Sequence, residues 1–291
     1  MAMENGDVHD RFVMCPVLMG SYNLDEWLRP AGTDQVPGQE KQLDDWCQYM
    51  NKARNDWDFS YSLWSISDHV RVLAERLSNV DTIVCFELGT IACHGVYTAG
   101  ALHHCFVFTI TRAINEVHDT KGQSKVRVVL QDLFYYMEDK IVLVEQYTEG
   151  IVEFVDDPDG LLAISENSLV LALNLSLDFP LLQTCTDLPH PAAFIVEPLE
   201  VDPNKAIYTW CERGSPRVAR MLSWQYAQLH TLEKSVPPNI GDAVFSEDER
   251  FTWLKAMCIR IRRAGQPECD LPNQMDDGGE YPGRIDSAKT M

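Results

Sequence analysis

Three side chains in this 291-residue chain have the types that acid/base chemistry needs: Glu87, His104 and Asp132. A carboxylate beside an imidazole holds the ring charged and oriented, and a proton can then be taken or delivered near neutral pH. Glu87 and His104 read as the acid/base pair, with Asp132 orienting. Groups suited to binding a substrate stand close by in sequence. Gly89 and Thr90 follow Glu87, His103 precedes His104, Gln131 precedes Asp132, and Tyr135 and Asp156 lie further on. Thr90 could bind a substrate or attack it. Negative and imidazole groups together suit a cationic or amine-bearing small molecule better than a phosphate. Each residue also has a plainer reading. Strand ends are polar, helix starts favour Asp and Ser, and a helical histidine often bonds a carbonyl. Glu87, Asp132 and His104 could bind a divalent cation, but no H-E-x-x-H or comparable spacing supports one, so no metal is expected.

No cofactor is expected either. A dinucleotide site needs a glycine-rich turn that lets backbone N–H groups reach a pyrophosphate. The turn here reads Phe86-Glu87-Leu88-Gly89-Thr90, with one glycine where the fingerprint wants three and a negative charge besides. Neither a P-loop nor a G-x-S-x-G elbow occurs.

The elements that must position these groups follow from periodicity. Ile66, Val70, Leu73 and Leu77 give a helix one apolar face, which Ser65 or Ser67 could cap. The run 82–86, short and partly β-branched, suits a strand buried on both faces. A helix is predicted over 101–117, a strand over 126–130, a helix over 137–148 and a strand over 151–155. The turn Asp156-Asp157-Pro158-Asp159-Gly160 closes that strand. Strands over 169–175 and 192–196 follow, with a short helical piece near 179–185. Ser215-Pro216 starts a helix lined by Val218, Met221, Leu222, Tyr226 and Leu229. Ser246 and Glu249 suggest a capping box for a last helix, striped by Phe251, Leu254, Cys258 and Ile261. Its end would carry Arg260, Arg262 and Arg263 against the helix dipole.

Strand and helix alternating in this way predict an α/β fold, a Rossmann-like parallel sheet of about five strands with helices on both faces. In such sheets ligands bind beyond the carboxyl ends of the strands. That rule gathers Glu87, Gly89, Thr90, Gln131, Asp132, Asp156, Asp157, Asn174, Ser176 and Glu197 at one edge, with His103 and His104 at the start of the next helix. Residues 1–60 read as an irregular N-terminal arm that packs Trp27, Trp46 and Trp57 on the body. Residues 61–263 form the Rossmann-like domain with its C-terminal helices. Residues 264–291, polar and rich in Pro and Gly, read as a disordered tail.

At these same residues the chain resembles the sensitivity-to-red-light-reduced (SRR-like) domain family, in its fungal form. Fungal members show a strand ending V-C-F-G-L-G-S, and here it is Val84-Cys85-Phe86-Glu87-Leu88-Gly89-Thr90. Their Q-H-A and later T-I pair correspond to His103-His104-Cys105 and Thr109-Ile110. Their Q-D-P-x-Y corresponds to Gln131-Asp132-Leu133-Phe134-Tyr135. The turn at 156–160 fits as well, as does a D-x-x-x-P-A pattern from Asp187 through Pro191-Ala192. The resemblance covers roughly residues 60–200. It implies a Rossmann-like domain and links to regulation, in a family whose chemistry is not well established. The departures cluster at the proposed pocket: Glu87 for a glycine, Thr90 for a serine, His103 for a glutamine and Leu133 for a proline. A repurposed site would produce that pattern, and so would ordinary drift.

Composition bounds the partners. The formal net charge is −20, from 24 basic and 44 acidic residues. Such a surface repels nucleic acid and anionic membrane. No apolar run approaches the roughly 18 residues of a membrane span. The start has no apolar signal core, and the nine cysteines include no C-x-x-C pair. Reduced thiols in a cytosolic or nuclear protein are the expectation. A small-molecule ligand is the expected partner, and the sequence sets no oligomeric state. The favoured reading is an enzyme acting on a small organic substrate by acid/base chemistry, in fungal specialised metabolism. A non-catalytic regulator that binds a partner or metabolite is the alternative. Aminoacyl transfer from charged tRNA to Thr90 is a third, opposed by the charge unless Arg260–Arg263 form a basic patch.

Overall fold

The computed structural model describes residues 39–93, 96–147, 150–173, 179–199, 202, 204–205, 214–231, 249–255 and 257–263. Seven strands form one sheet in the order β5-β4-β1-β6-β7-β9-β8. Five of them are parallel: β1 (Thr82–Phe86), β4 (Arg127–Gln131), β5 (Ile151–Phe154), β6 (Ser168–Ala172) and β7 (Ala193–Val196). These are the α/β order and hand-over of a Rossmann-like sheet. The chain runs outward from β1 to one edge, returns, and builds the other half from β6. That reversal beside β1 is the topological switch point. A small antiparallel pair, β2 (Ala92–Cys93) and β3 (Val96–Tyr97), sits in the connection after β1.

Both faces of the sheet are covered, as the unbroken apolar strands require. Ile83, Cys85, Val128, Leu130, Leu169, Leu171, Ala193 and Ile195 face one core. It is closed by α1 (Gln39–Asp58), α2 (Tyr61–Arg76), α3 (Ala99–Lys121) and α4 (Met137–Gln146). The alternate residues Val84, Phe86, Val129, Val170, Ala172, Phe194 and Val196 face the other core. There α6 (Leu181–Cys185) and α7 (Pro216–Gln225) cover them, while α5 (Asp159–Leu162) is a single turn after β5. Cys85, Cys105, Cys185 and Cys258 are buried free thiols, and burial pushes those of Cys105 and Cys185 up to about 12. Among the described residues no helix is long and apolar enough to cross a membrane.

Several expectations need correction. Residues 39–58 are a helix, not part of an irregular arm, and Trp57 is fully buried with its indole N–H on the Thr109 hydroxyl, 2.9 Å away. The rest of the proposed arm, Trp27 included, lies outside the described residues, as do the 264–291 segment, Ser246, Asn174 and Ser176. Helix α2 is capped by Ser60, whose hydroxyl accepts the Leu63 N–H at 3.0 Å, rather than by Ser65 or Ser67. Helix α7 starts at the Ser215 cap as expected but ends at Gln225. Tyr226 then opens a strand, β8 (Tyr226–Thr231). The last helix is only α8 (Thr252–Lys255), after a 3-10 turn at Glu249–Phe251. Cys258 and Ile261 belong to β9 (Cys258–Arg262), which pairs antiparallel with β7 and β8. Strand pairing outweighs the helical spacing here because β9 fills the open edge of β7. The arginines therefore do not crown a helix. Arg260 is buried, and Arg262 donates to the carbonyls of His190 and Glu166 at 2.6 and 3.1 Å.

The first turn of α3 is pressed directly on the loop after β1. A Cβ at Gly100 would lie 2.4 Å from the Thr90 carbonyl oxygen and 2.8 Å from the Gly89 carbonyl carbon and oxygen. These are backbone atoms and cannot swing aside. Gly100→Ala should cost about 3 kcal/mol through overpacking, read as a lower midpoint in urea unfolding. An unchanged midpoint would mean that the helix does not seat here.

Candidate functional site

Strand β1 ends at Phe86, and the chain turns off it through two left-handed residues: Glu87 at φ 51° and Gly89 at φ 86°. Glycine enters that region freely, whereas glutamate does so only with steric cost. The turn is held peptide by peptide. The Glu87 N–H donates to the Gln131 carbonyl at 3.1 Å, extending the ladder to β4. The Gly89 N–H donates to Asp132 Oδ2 at 2.7 Å, while Asp132 Oδ1 accepts the Phe134 N–H at 2.8 Å. His103 Nδ1 lies 2.9 Å from the Leu88 carbonyl, and His104 Nε2 lies 3.2 Å from the Gly89 carbonyl. Two of the predicted trio thus meet at Gly89: Asp132 holds its N–H and His104 its carbonyl, while Glu87 stands two residues before it in the chain.

The next stretch is held by a residue the sequence reading passed over. Asp139, in the first turn of α4, is fully buried. It accepts from Trp46 Nε1 at 2.9 Å, from the Thr90 hydroxyl at 2.8 Å, from the Ile91 N–H at 2.8 Å and from the Tyr136 N–H at 2.8 Å. One carboxylate therefore ties together α1, the loop after β1 and the start of α4. Tyr136-x-x-Asp139 has the spacing of a residue that closes a helix start, so the local bond was open to sequence reading. The partners far away in sequence were not.

The electrostatics follow from burial. His104 exposes nothing to solvent, and desolvation, against the Gly89 hydrogen bond, lowers its pKa to about 3. A neutral ring with its Nε2–H on the Gly89 carbonyl leaves Nδ1 as a bare acceptor, and that atom has no hydrogen-bond partner. His103 is lowered in the same direction and for the same reason, with its ring edge-on to Trp253 at 4.6 Å. Burial raises the carboxyls of Asp132 and Asp139, opposed by the N–H groups they accept. The Tyr135 hydroxyl sits 3.4 Å from His104 Nε2, and burial, then the Asp132 charge, holds its phenol well above the ordinary range.

The other predicted binding residues fall in two places. The Thr90 hydroxyl is spent on Asp139. Gln131 accepts the Gly160 N–H at 2.8 Å and donates to Asp157 at 3.3 Å, so it holds the turn after β5. Asp156 is exposed there, and its carbonyl accepts the Asp159 N–H. Glu87 and Glu197, half-buried at the ends of β1 and β7, stay at the carboxyl edge of the sheet. Among the described residues no group of three or more His, Cys, Asp or Glu is arranged to hold a metal ion. Comparison of the chain with protein-family models, with curated proteins and with solved structures gives no match.

The lowered pKa of His104 carries a pH signature. A group depressed on folding contributes stability that is complete above its unfolded pKa, 6.5, and is lost as pH falls toward about 3. Asp132 and Asp139, raised on folding, act with the opposite sign. His104→Gln can keep a bond to Gly89 but cannot titrate, so the difference between the two proteins isolates the ring. Between about pH 6.5 and about pH 4, wild-type stability in urea should fall more steeply than that of the variant. Parallel curves would show that the imidazole is not buried.

Proposed function

We propose that the chain binds a small, amine-bearing organic molecule at the switch point of its Rossmann-like sheet, and acts on it through the Glu87 carboxylate. In this reading it is a divergent member of the SRR-like family, turned toward fungal specialised metabolism in the cytosol or nucleus. The backbone at Glu87 carries the proposal. The family pattern has a glycine at this position, and φ 51° is a conformation that glycine adopts freely. Glutamate there costs about 1 kcal/mol. Strain retained at the carboxyl end of the central strand is a pointer to function.

The chemistry that fits is narrow. A carboxylate in the crevice favours a cation and repels phosphate. Glu87 would pair with the substrate ammonium, or take a proton from the substrate and return it. His104 and Asp132 then serve as positioning residues, since their polar atoms fix the Gly89 peptide. Thr90 and His103 belong to the same support. A non-catalytic, metabolite-binding role is the second reading. The buried, neutral imidazole of His104 favours it, because Glu87 is then left as the one acid/base group of the pair.

Calorimetry with a panel of aliphatic and aromatic primary amines tests both readings. Glu87→Gln keeps the length of the side chain and removes its charge, and should weaken amine binding about tenfold or more. Glu87→Gly should abolish that binding while stabilising the fold by up to about 1 kcal/mol. Binding with the ligand recovered chemically unchanged would assign the non-catalytic role. Equal amine affinities in all three proteins, or a Glu87→Gly variant less stable than wild type, would defeat the proposal.

A further inference from the structure

Arg260, Arg262 and Arg263 lie together in sequence but meet different surroundings. Arg263 is exposed, and Arg262 spends its guanidinium on the His190 and Glu166 carbonyls. Arg260 is only 6% exposed, and its Nε, sealed from solvent, has no hydrogen-bond acceptor. Among the described residues no carboxylate pairs with it. Burying an unpaired charge is costly, and an arginine cannot shed its proton to escape that cost. The Arg260 side chain does donate to the Cys258 thiol. Burial raises that thiol, against the charge and the bond of Arg260, so the sulfur stays neutral and a weak acceptor.

The strand register locates this cation. Arg260 stands opposite Phe194 of β7 on one side and Gln228 of β8 on the other. Residues opposite one another in an antiparallel pair share a face, so Arg260 projects with Phe194 toward the core under α6 and α7. Phe194 is fully buried, whereas Gln228, on the last strand of the sheet, is exposed. Arg260 therefore stands at the border between a closed core and an open strand. The pairing of β8 with β9 slips at this place, between Gln228 and His230, and bulges of that kind gather beside binding sites. Cys258 stands opposite Val196, the last residue of β7, so the bond to its thiol draws the guanidinium toward the carboxyl edge of the sheet. Ligands enter such folds at that edge.

We propose that Arg260 is the anchor of a second ligand site, which takes a small monocarboxylate with both oxygens on the guanidinium fork. A planar guanidinium meets a carboxylate in two parallel bonds, and Nε can give one of them. The neighbours on that face offer no competing group. Phe194 and Val196 are apolar, and the Tyr226 hydroxyl is spent on the Pro191 carbonyl at 2.8 Å. One guanidinium balances one negative charge, and the net −20 of the chain repels anions that carry more. The site lies three strands from β1 and stands apart from the Glu87 reading.

Titration of the full-length protein with propionate, followed by NMR at the Arg260 Nε–H, tests the site without any substitution. That resonance should move to saturation, and chloride at the same concentration should leave it in place. Arg260→Lys keeps the charge but loses the fork, and should weaken propionate binding about tenfold. Arg260→Met should bind no propionate and be at least as stable in urea as wild type, because replacing a buried, unpaired charge with an apolar side chain removes a cost. An Nε–H that does not respond would overturn the proposal, as would chloride matching propionate or equal propionate affinity in wild type and Arg260→Lys. An Arg260→Met protein less stable than wild type would overturn it too, since a carboxylate of the chain itself would then already neutralise Arg260.

Discussion

A single peptide unit organises the carboxyl edge of this sheet. The Gly89 N–H is held by Asp132 and its carbonyl by His104, from the ends of two different elements. Such a peptide cannot rotate without breaking a charge-assisted bond on one side or orphaning a buried ring on the other. Fixing Gly89 fixes the turn before it, and Glu87 is then held in a left-handed conformation that its side chain does not favour. The close seating of Gly100 on the Gly89 and Thr90 carbonyls closes the same joint from below. The acidic and imidazole residues that suggested a catalytic set thus divide by role. Asp132 and His104 are spent on the Gly89 peptide, and Glu87 is the residue whose backbone that peptide's turn holds left-handed.

The second constraint is the buried carboxylate of Asp139. Removing a carboxylate from water is costly unless its oxygens are well satisfied. Here two backbone N–H groups, an indole and a hydroxyl meet that need. The arrangement couples α1 to the loop after β1, although α1 lies far from that loop in sequence. It also explains why α1 is ordered as a helix despite its mixed composition. Trp46 and Trp57 anchor it at two points, one on Asp139 and one on Thr109, with Trp57 packed edge-on to Phe106.

The parallel half of the fold was legible because its signals are local. A strand buried on both faces needs an unbroken apolar run, and Thr82–Phe86 and Ala193–Val196 supply one each. Helix α1 was hidden because its buried residues, Met50, Ala53 and Trp57, are separated by polar residues that blur the period. The two antiparallel strands were hidden for the opposite reason. Phe251, Leu254, Cys258 and Ile261 follow a helical spacing by accident, and only the free edge of β7 decides that Cys258–Arg262 is extended. At the site, residue types and their common edge could be read from the sequence. Which side chains are spent on distant backbone groups could not, because Asp132, His104 and Asp139 find those groups 15 to 48 residues away. Backbone conformation at Glu87 is likewise invisible in a list of residues.

The most direct measurement is a crystal structure of the protein soaked with a primary amine that it binds in solution. The account predicts an ammonium group within hydrogen-bond distance of the Glu87 carboxylate, at the carboxyl end of β1, with Glu87 still left-handed and Gly89 still held by Asp132 and His104. An amine bound elsewhere on the molecule, or a Glu87 relaxed to an ordinary negative φ, would contradict it.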